Sequence, residues 1–278
     1  MKSSKRKYKI VVLTDLGKSS YKTLKSTVGL AKIIHGDIEV FYVKKPSDIV
    51  ESDNQLSAMR TINDKHTKVD RQMKSLTGPI SKEFGIDINY SFVFGNVKNE
   101  ISDYIEKSRP DIVVLGKRKS KPFKLIGDSI TEFILNVHDG VLMIASDKGC
   151  LVPNKEIAFG TLNSSEPSFN LEFAEELMEH TQKPLKSFKI IKNSASAKQL
   201  SKSTDKGTIE YVFEHNDSTV KNLSNYLSKN NINVLSIDRT KKDPDQIQNS
   251  MMPDITSMIG KLDVTLLVSG KQKYKTTY

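Results

Sequence analysis

The sequence has one cysteine, Cys150. No disulfide can close within the chain, which fits a reducing compartment. No histidine lies near Cys150 in sequence to activate its thiol, so it reads as a structural thiol rather than a nucleophile. Long hydrophobic runs are also missing. The longest, such as Val141–Ala145, span about five residues, against the ~20 a membrane-crossing helix needs. The basic N-terminal stretch opens like a secretory leader, but its apolar run stops at Leu13, before Thr14 and Asp15. That is short of the ~7–15 residues of a leader's apolar region. A cytoplasmic chain with no membrane partner is therefore expected. The five histidines, His35, His66, His138, His180 and His215, are scattered and lack metal-ligand spacing, so no metal site is expected. Motifs that carry catalysis are absent too. There is no G-x-S-x-G elbow, no G-x-x-x-x-G-K-[ST] loop, no strand-led G-x-G-x-x-G and no S-G-G-x-D-S. Hydrolase, P-loop, dinucleotide and adenylating chemistry are not predicted, and the chain reads as a non-enzyme.

What is present is enough for packed cores. Of 278 residues, 37% are hydrophobic and 27% charged, a composition of folded domains and, by length, of two of them. The net charge of +10 permits contact with phosphates, nucleic acid or an acidic surface. Much of the excess lies in Lys2–Lys9, Lys117–Lys124 and the tail around Lys271–Lys275. No aromatic-plus-basic or zinc-finger pattern accompanies these lysines, so nucleic acid is not the expected partner.

Short apolar runs alternate with helical patterns. Strands are predicted at Lys9–Leu13, Ile38–Val43, Ile88–Val93, Asp111–Leu115 and Val141–Ala145. Between them, Leu24, Val28, Ala31 and Ile34 mark a first helix, with Gly36 as its closing glycine. Residues 51–84 carry one long helix or two, with a break near Gly78-Pro79 as the alternative. Two more helices carry Val97, Ile101, Tyr104 and Ile105, then Ile130, Phe133, Ile134 and Val137. Such a succession implies βαβ units and a parallel sheet covered on both faces. Ligands of these sheets bind beyond the strands' carboxyl ends, where the strand order reverses.

The plan then repeats. Ile157–Leu162, Ser187–Ile191, Ile209–Phe213, Asn233–Ile237 and Val264–Val268 answer the five strands. Phe169–Thr181 and Val220–Lys229 answer two helices. The offset falls from about 147 residues at the first strand to about 123 at the fifth, as expected of a diverged duplication rather than a short-period repeat. The division predicted is 1–148 and 149–278.

Several segments resemble the universal stress protein family. They are Val12-Leu13-Thr14-Asp15, Leu30-Ala31 with His35-Gly36, Phe94-Gly95-Asn96-Val97 with Ile101, Pro110–Gly116, Ser129–Glu132 and Val141–Ala145. The resemblance covers most of 8–146. In the second half it is one of architecture. It implies an α/β fold of two tandem open parallel-sheet, Rossmann-like domains of about five strands each. It also implies a stress-response role and an intramolecular pseudo-dimer formed through the final strands, Val141–Ala145 and Val264–Val268. Further pairing into a homodimer is left open.

Some members of the family bind ATP through a G-x-x-G-x9-G-[ST] loop after the fourth strand; others lack it. By resemblance, Thr14, Asp15, Val43, Gly95, Gly116, Lys117, Gly127 and Ser129 are the candidate nucleotide residues. Asp15 and Val43 would address the adenosine. Gly116, Gly127 and Ser129 would address the phosphates, with Lys117 or Lys119 neutralising charge. The loop is degraded. Lys119 stands at the second glycine position, the spacing from Gly116 is short, and Asp128 puts a carboxylate near the phosphate site. The second half lacks the glycine after Ile237 and the aspartate after Leu162, so no nucleotide site is expected there. Four functions remain open: a non-catalytic stress-response protein, with or without ATP in its first half; a nucleotide-independent module whose basic loop captures an acidic partner protein; a weak ATPase; and, as a minor option, nonspecific nucleic-acid binding.

Overall fold

Ile10, Val11, Val12 and Leu13 are all buried, yet they serve two different cores. Ile10 and Val12 join one apolar cluster, Val11 and Leu13 the other. Successive side chains of a strand point to opposite faces, so a strand apolar on both must run inside a sheet covered on each side. In the computed structural model, which describes residues 8–45, 55–117, 130–153, 155–164, 169, 171–191, 208–239 and 255–270, that strand is β1 (Tyr8–Thr14). The first half continues with α1 (Ser20–Ile34), β2 (Gly36–Lys44), α2 (Gln55–Phe84), β3 (Ile88–Phe94), α3 (Val97–Ser108), β4 (Ile112–Gly116), α4 (Ile130–Val137) and β5 (Val141–Ala145). The second half holds β6 (Phe159–Leu162), α5 (Leu171–Glu179), β7 (Leu185–Ile191), β8 (Thr208–Glu214), α6 (Thr219–Lys229), β9 (Val234–Ile237), α7 (Ile255–Lys261) and β10 (Thr265–Val268).

The strands form one ten-stranded sheet in the order β3-β2-β1-β4-β5-β10-β9-β6-β7-β8. Every neighbouring pair is parallel except β5 with β10, which run antiparallel with Ile144 opposite Leu266 and Leu142 opposite Val268. Read outward from that seam, each side gives the same order. β1 corresponds to β6, β4 to β9, and β5 to β10. One face of the sheet is covered by Leu24 and Val28 of α1, Met73 and Ile80 of α2, and Phe173 and Leu177 of α5. The other is covered by Ile101 and Ile105 of α3, Ile134 of α4, Leu223 and Leu227 of α6, and Met258 and Ile259 of α7. Each core runs through the seam without interruption. The Tyr8 and Phe173 rings, from opposite halves, meet edge to face at 5.6 Å between centroids.

One expectation changes, one alternative is settled and one element is added. The left-handed residue that closes α1 is His35 (φ 53°), whose N–H bonds to the Ala31 carbonyl. Gly36 instead opens β2, where a Cβ would lie 2.5 Å from the Ile10 side chain. Close approach, not a turn, requires that glycine. The helix of Gln55–Phe84 is continuous, with Pro79 inside it. Met73, Thr77 and Ile80 are all buried on its inner face and hold both sides of the proline against the sheet. Packing thus overrides the rung that proline removes. Finally, α7 was not foreseen, although Met258, Ile259 and Leu262 have helical spacing and are buried.

Candidate functional site

The parallel order of the first half reverses between β1 and β4, because β2 and β3 lie to one side of β1 and β5 lies beyond β4. Leu13 is opposite Leu115, so Thr14 and Asp15 leave the sheet beside Gly116 and Lys117. Four of the predicted residues therefore meet at the switch point. Val43 and Gly95 lie farther along the same edge. Val43 is opposite Val93, and the Gly95 amide donates to the Lys44 carbonyl at 3.0 Å. Gly127 and Ser129 lie outside the described residues.

Local chemistry fixes how this edge is built. The Thr14 hydroxyl donates to Ser20 Oγ at 2.9 Å, and Thr14 Oγ1 accepts the Leu16 amide at 3.0 Å. Asp15 Oδ1 accepts the Gly17 amide at 2.9 Å, while Leu16 between them takes a left-handed φ of 54°. A Cβ on Gly17 would lie 2.8 Å from that carboxylate oxygen. The turn holds the carboxylate at the start of the β1–α1 connection. Gly116 has its own reason. A Cβ there would lie 2.5 Å from Thr23 Oγ1 of α1, a buried side chain that donates to the Ser19 carbonyl. At the β3 end, the Asn96 side chain caps α3 by accepting from the Lys98 and Asn99 amides at 3.1 and 3.3 Å. The Glu100 side chain lies over Gly95, 2.2 Å from where a Cβ would stand.

Lys117 turns away from this edge. Its ammonium donates to the Leu262 carbonyl at 2.6 Å and to Asp263 Oδ1 at 3.3 Å, both just past α7 of the second half. Lys148 reaches the other oxygen of Asp263 at 2.7 Å. Hydrogen bonds from Lys148 and then Lys117 hold the Asp263 carboxyl below the usual carboxylate range, against its partial burial. A matching contact runs the other way. Arg239, which follows β9 as Lys117 follows β4, donates to the carbonyls of Leu135, His138, Gly140 and Ser269 at 2.7–3.1 Å. Sequence reasoning missed both contacts. The signal was a cation at the same place after each fourth strand.

The switch point of the second half is closed by its own side chains. Thr161 and Ser187 hydroxyls both donate to the Ser164 carbonyl, and Asn163 Oδ1 accepts the Ile190 amide at 2.8 Å. Asp238 occupies the place of Gly116 and accepts from the Ser269 hydroxyl at 3.0 Å. Among the described residues, no three His, Cys, Asp or Glu side chains converge as metal ligands, and no helix is long and apolar enough to cross a membrane.

Comparison with known proteins bears on the family and the fold. The model of the universal stress protein family matches residues 8–144. A universal stress protein of Methanocaldococcus jannaschii is 24% identical over 142 residues, which cover 50% of this chain and 83% of that protein. Among solved structures, a universal stress protein from Archaeoglobus fulgidus aligns with a TM-score of 0.64 at 14% identity, covering 95% of this chain and 98% of that one. A functionally unknown protein from Pseudomonas aeruginosa aligns with a TM-score of 0.55 at 9% identity, covering 95% and 93%. At these identities the solved structures show a shared fold over nearly the whole chain. With residues 8–144 matching the family model, the first half of the chain belongs to the universal stress protein family, and the second half repeats its strand order.

Proposed function

We propose that the protein is a non-catalytic, cytoplasmic stress-response protein. Residues 1–148 form a domain that takes an adenine nucleotide at its switch point, and 149–278 form a second domain that takes none. The observation that carries this reading is the meeting of Thr14 and Asp15 with Gly116 at the β1/β4 reversal. A carboxylate suited to a ribose hydroxyl leaves the sheet there beside the carboxyl end of β4, where ligands of such sheets bind. The second half supplies the contrast, since Asp238 stands where Gly116 does and the strand end is closed by Asn163 and Ser164. A non-catalytic protein should release no phosphate from ATP. Titration calorimetry with ATP and magnesium tests the reading. Saturable binding near one site per chain, lost in Asp15→Ala, is the expected result. No heat at millimolar ATP would overturn it.

A second reading has its own support. The polar groups of the edge are already matched within the chain: Thr14 with Ser20, Asp15 with Gly17, Asn96 with the α3 amides, Lys117 with Asp263. Such an edge suits a nucleotide-independent module that captures an acidic partner protein through the basic stretch Lys117–Lys124. Charge reversal at Arg118 and Lys119 would then abolish capture and leave folding intact.

A further inference from the structure

Lys117 and Arg239 occupy equivalent places, one residue past the glycine or aspartate that ends the fourth-strand position of each half. Each crosses the seam to the carboxyl end of the other half's last helix. Arg239 reaches the His138 carbonyl, and Lys117 the Leu262 carbonyl, the equivalent position one residue past the last helix of its half. A helix's carboxyl end carries unpaired carbonyls and partial negative charge, so both contacts are favourable. They are not alike in strength or exchangeability. Arg239 spreads a planar guanidinium over four carbonyls, a fork that no single anion can replace. Lys117 makes one carbonyl bond and one bond to Asp263, on a flexible stem. Its carboxylate partner is already shared with Lys148. One latch is fixed, and the other can be traded for another anion.

We propose that Lys117 is a shared cation, held by Asp263 of the second half when the switch point is empty and drawn to nucleotide phosphate when it is filled. The second half is thereby a brake on ligand binding in the first. This rests on the reading that the β1/β4 switch point takes a nucleotide. Lys117 directly follows Gly116 at that point, and its flexible stem lets the ammonium change partners. The fixed Arg239 contact keeps the two halves together during the exchange. By linkage, the affinity lost to the Asp263 contact equals the weakening of that contact by nucleotide.

The test is calorimetric titration of full-length protein with ATP and magnesium. The chains compared are wild type, Asp263→Asn, Lys117→Met, the double variant and Lys148→Met. Asp263→Asn keeps the side-chain shape and removes the charge. It should bind roughly twofold to fivefold more tightly than wild type, the upper range of a partly exposed ion pair. Lys117→Met should bind more weakly than wild type, and the double variant should match Lys117→Met, because the gain requires the freed ammonium. Lys148→Met frees Asp263 for Lys117 and should bind no more tightly than wild type. If wild type binds but Asp263→Asn binds equally or less well, or if the double variant keeps the gain, the shared-cation proposal is overturned while the nucleotide reading stands. If none of the five chains binds, the nucleotide reading falls and the proposal with it.

Discussion

At the scale of single residues, the space around each glycine separates positions that need it from positions that do not. A methyl group on Gly116 would meet Thr23 Oγ1, which is buried and hydrogen-bonded to the Ser19 carbonyl. Gly116→Ala should therefore destabilise the protein by about 1–3 kcal/mol through overpacking. Gly260, inside α7, has nothing within 4 Å of its absent Cβ. Gly260→Ala should stabilise by about 0.5–1 kcal/mol, the helix penalty of glycine. Urea unfolding of the two variants reads both signs. His138 offers a prediction in pH. Burial pushes its imidazole down to about 4, partly countered by its hydrogen bond with the Val141 carbonyl. Unfolded, the same ring takes a proton near its ordinary value, so the unfolded chain binds more protons in the interval between. Its contribution is whole above the unfolded value and is lost as pH falls to about 4, an amount on the order of 3 kcal/mol. His138→Gln should lose that much less stability than wild type across the same range. Parallel pH curves for the two proteins would count against it.

At the scale of elements, the caps and ends show what could be read in advance. The Asn96 cap of α3 serves two amides, and Asn96→Ala should cost about 1 kcal/mol, measurable as a lower denaturation midpoint with unchanged slope. Asparagine before a helical pattern was visible in the sequence. So were the strand centres, because a run such as Ile112–Leu115, buried on both faces, leaves few alternatives. Their ends were not. Among the described residues, β1 pairs with β2 from Tyr8 opposite Gly36 as far as Thr14 opposite Tyr42. No local pattern encodes a partner's reach. The candidate site was legible in the same uneven way. Asp15 and Gly116 could be placed at one edge from strand order alone. The hold of Lys117 on Leu262, 145 residues away, could not, because it depends on how the halves join. The short helix α7 escaped for a similar reason: its buried positions are too few to show a period until the sheet they cover is known.

At the scale of the molecule, two layers of helices and one sheet make both halves parts of a single packed body. Among the described residues, Arg239 ties the halves by three hydrogen bonds across the seam, to Leu135, His138 and Gly140. Arg239→Ala leaves the carbonyls of Leu135, His138, Gly140 and Ser269 without that donor. A loss of about 3 kcal/mol is expected from unsatisfied groups of this kind. Guanidinium unfolding should show it, and Arg239→Lys should restore only part, since an ammonium cannot span the same four acceptors. A variant as stable as wild type would mean that the apolar core alone holds the seam.

The antiparallel pairing of β5 with β10 joins two strands of one polypeptide. When two identical subunits meet through such a pair, any substitution appears twice, and both strand ends must tolerate it together. Joined in a single chain, the two copies are inherited as one gene but vary independently. One strand end carries Asp15 and Gly116, while its counterpart carries Ser164 and Asp238. The ratio of the two kinds of end is fixed at one to one by synthesis, whatever the concentration of the protein, and exchange of subunits cannot change it.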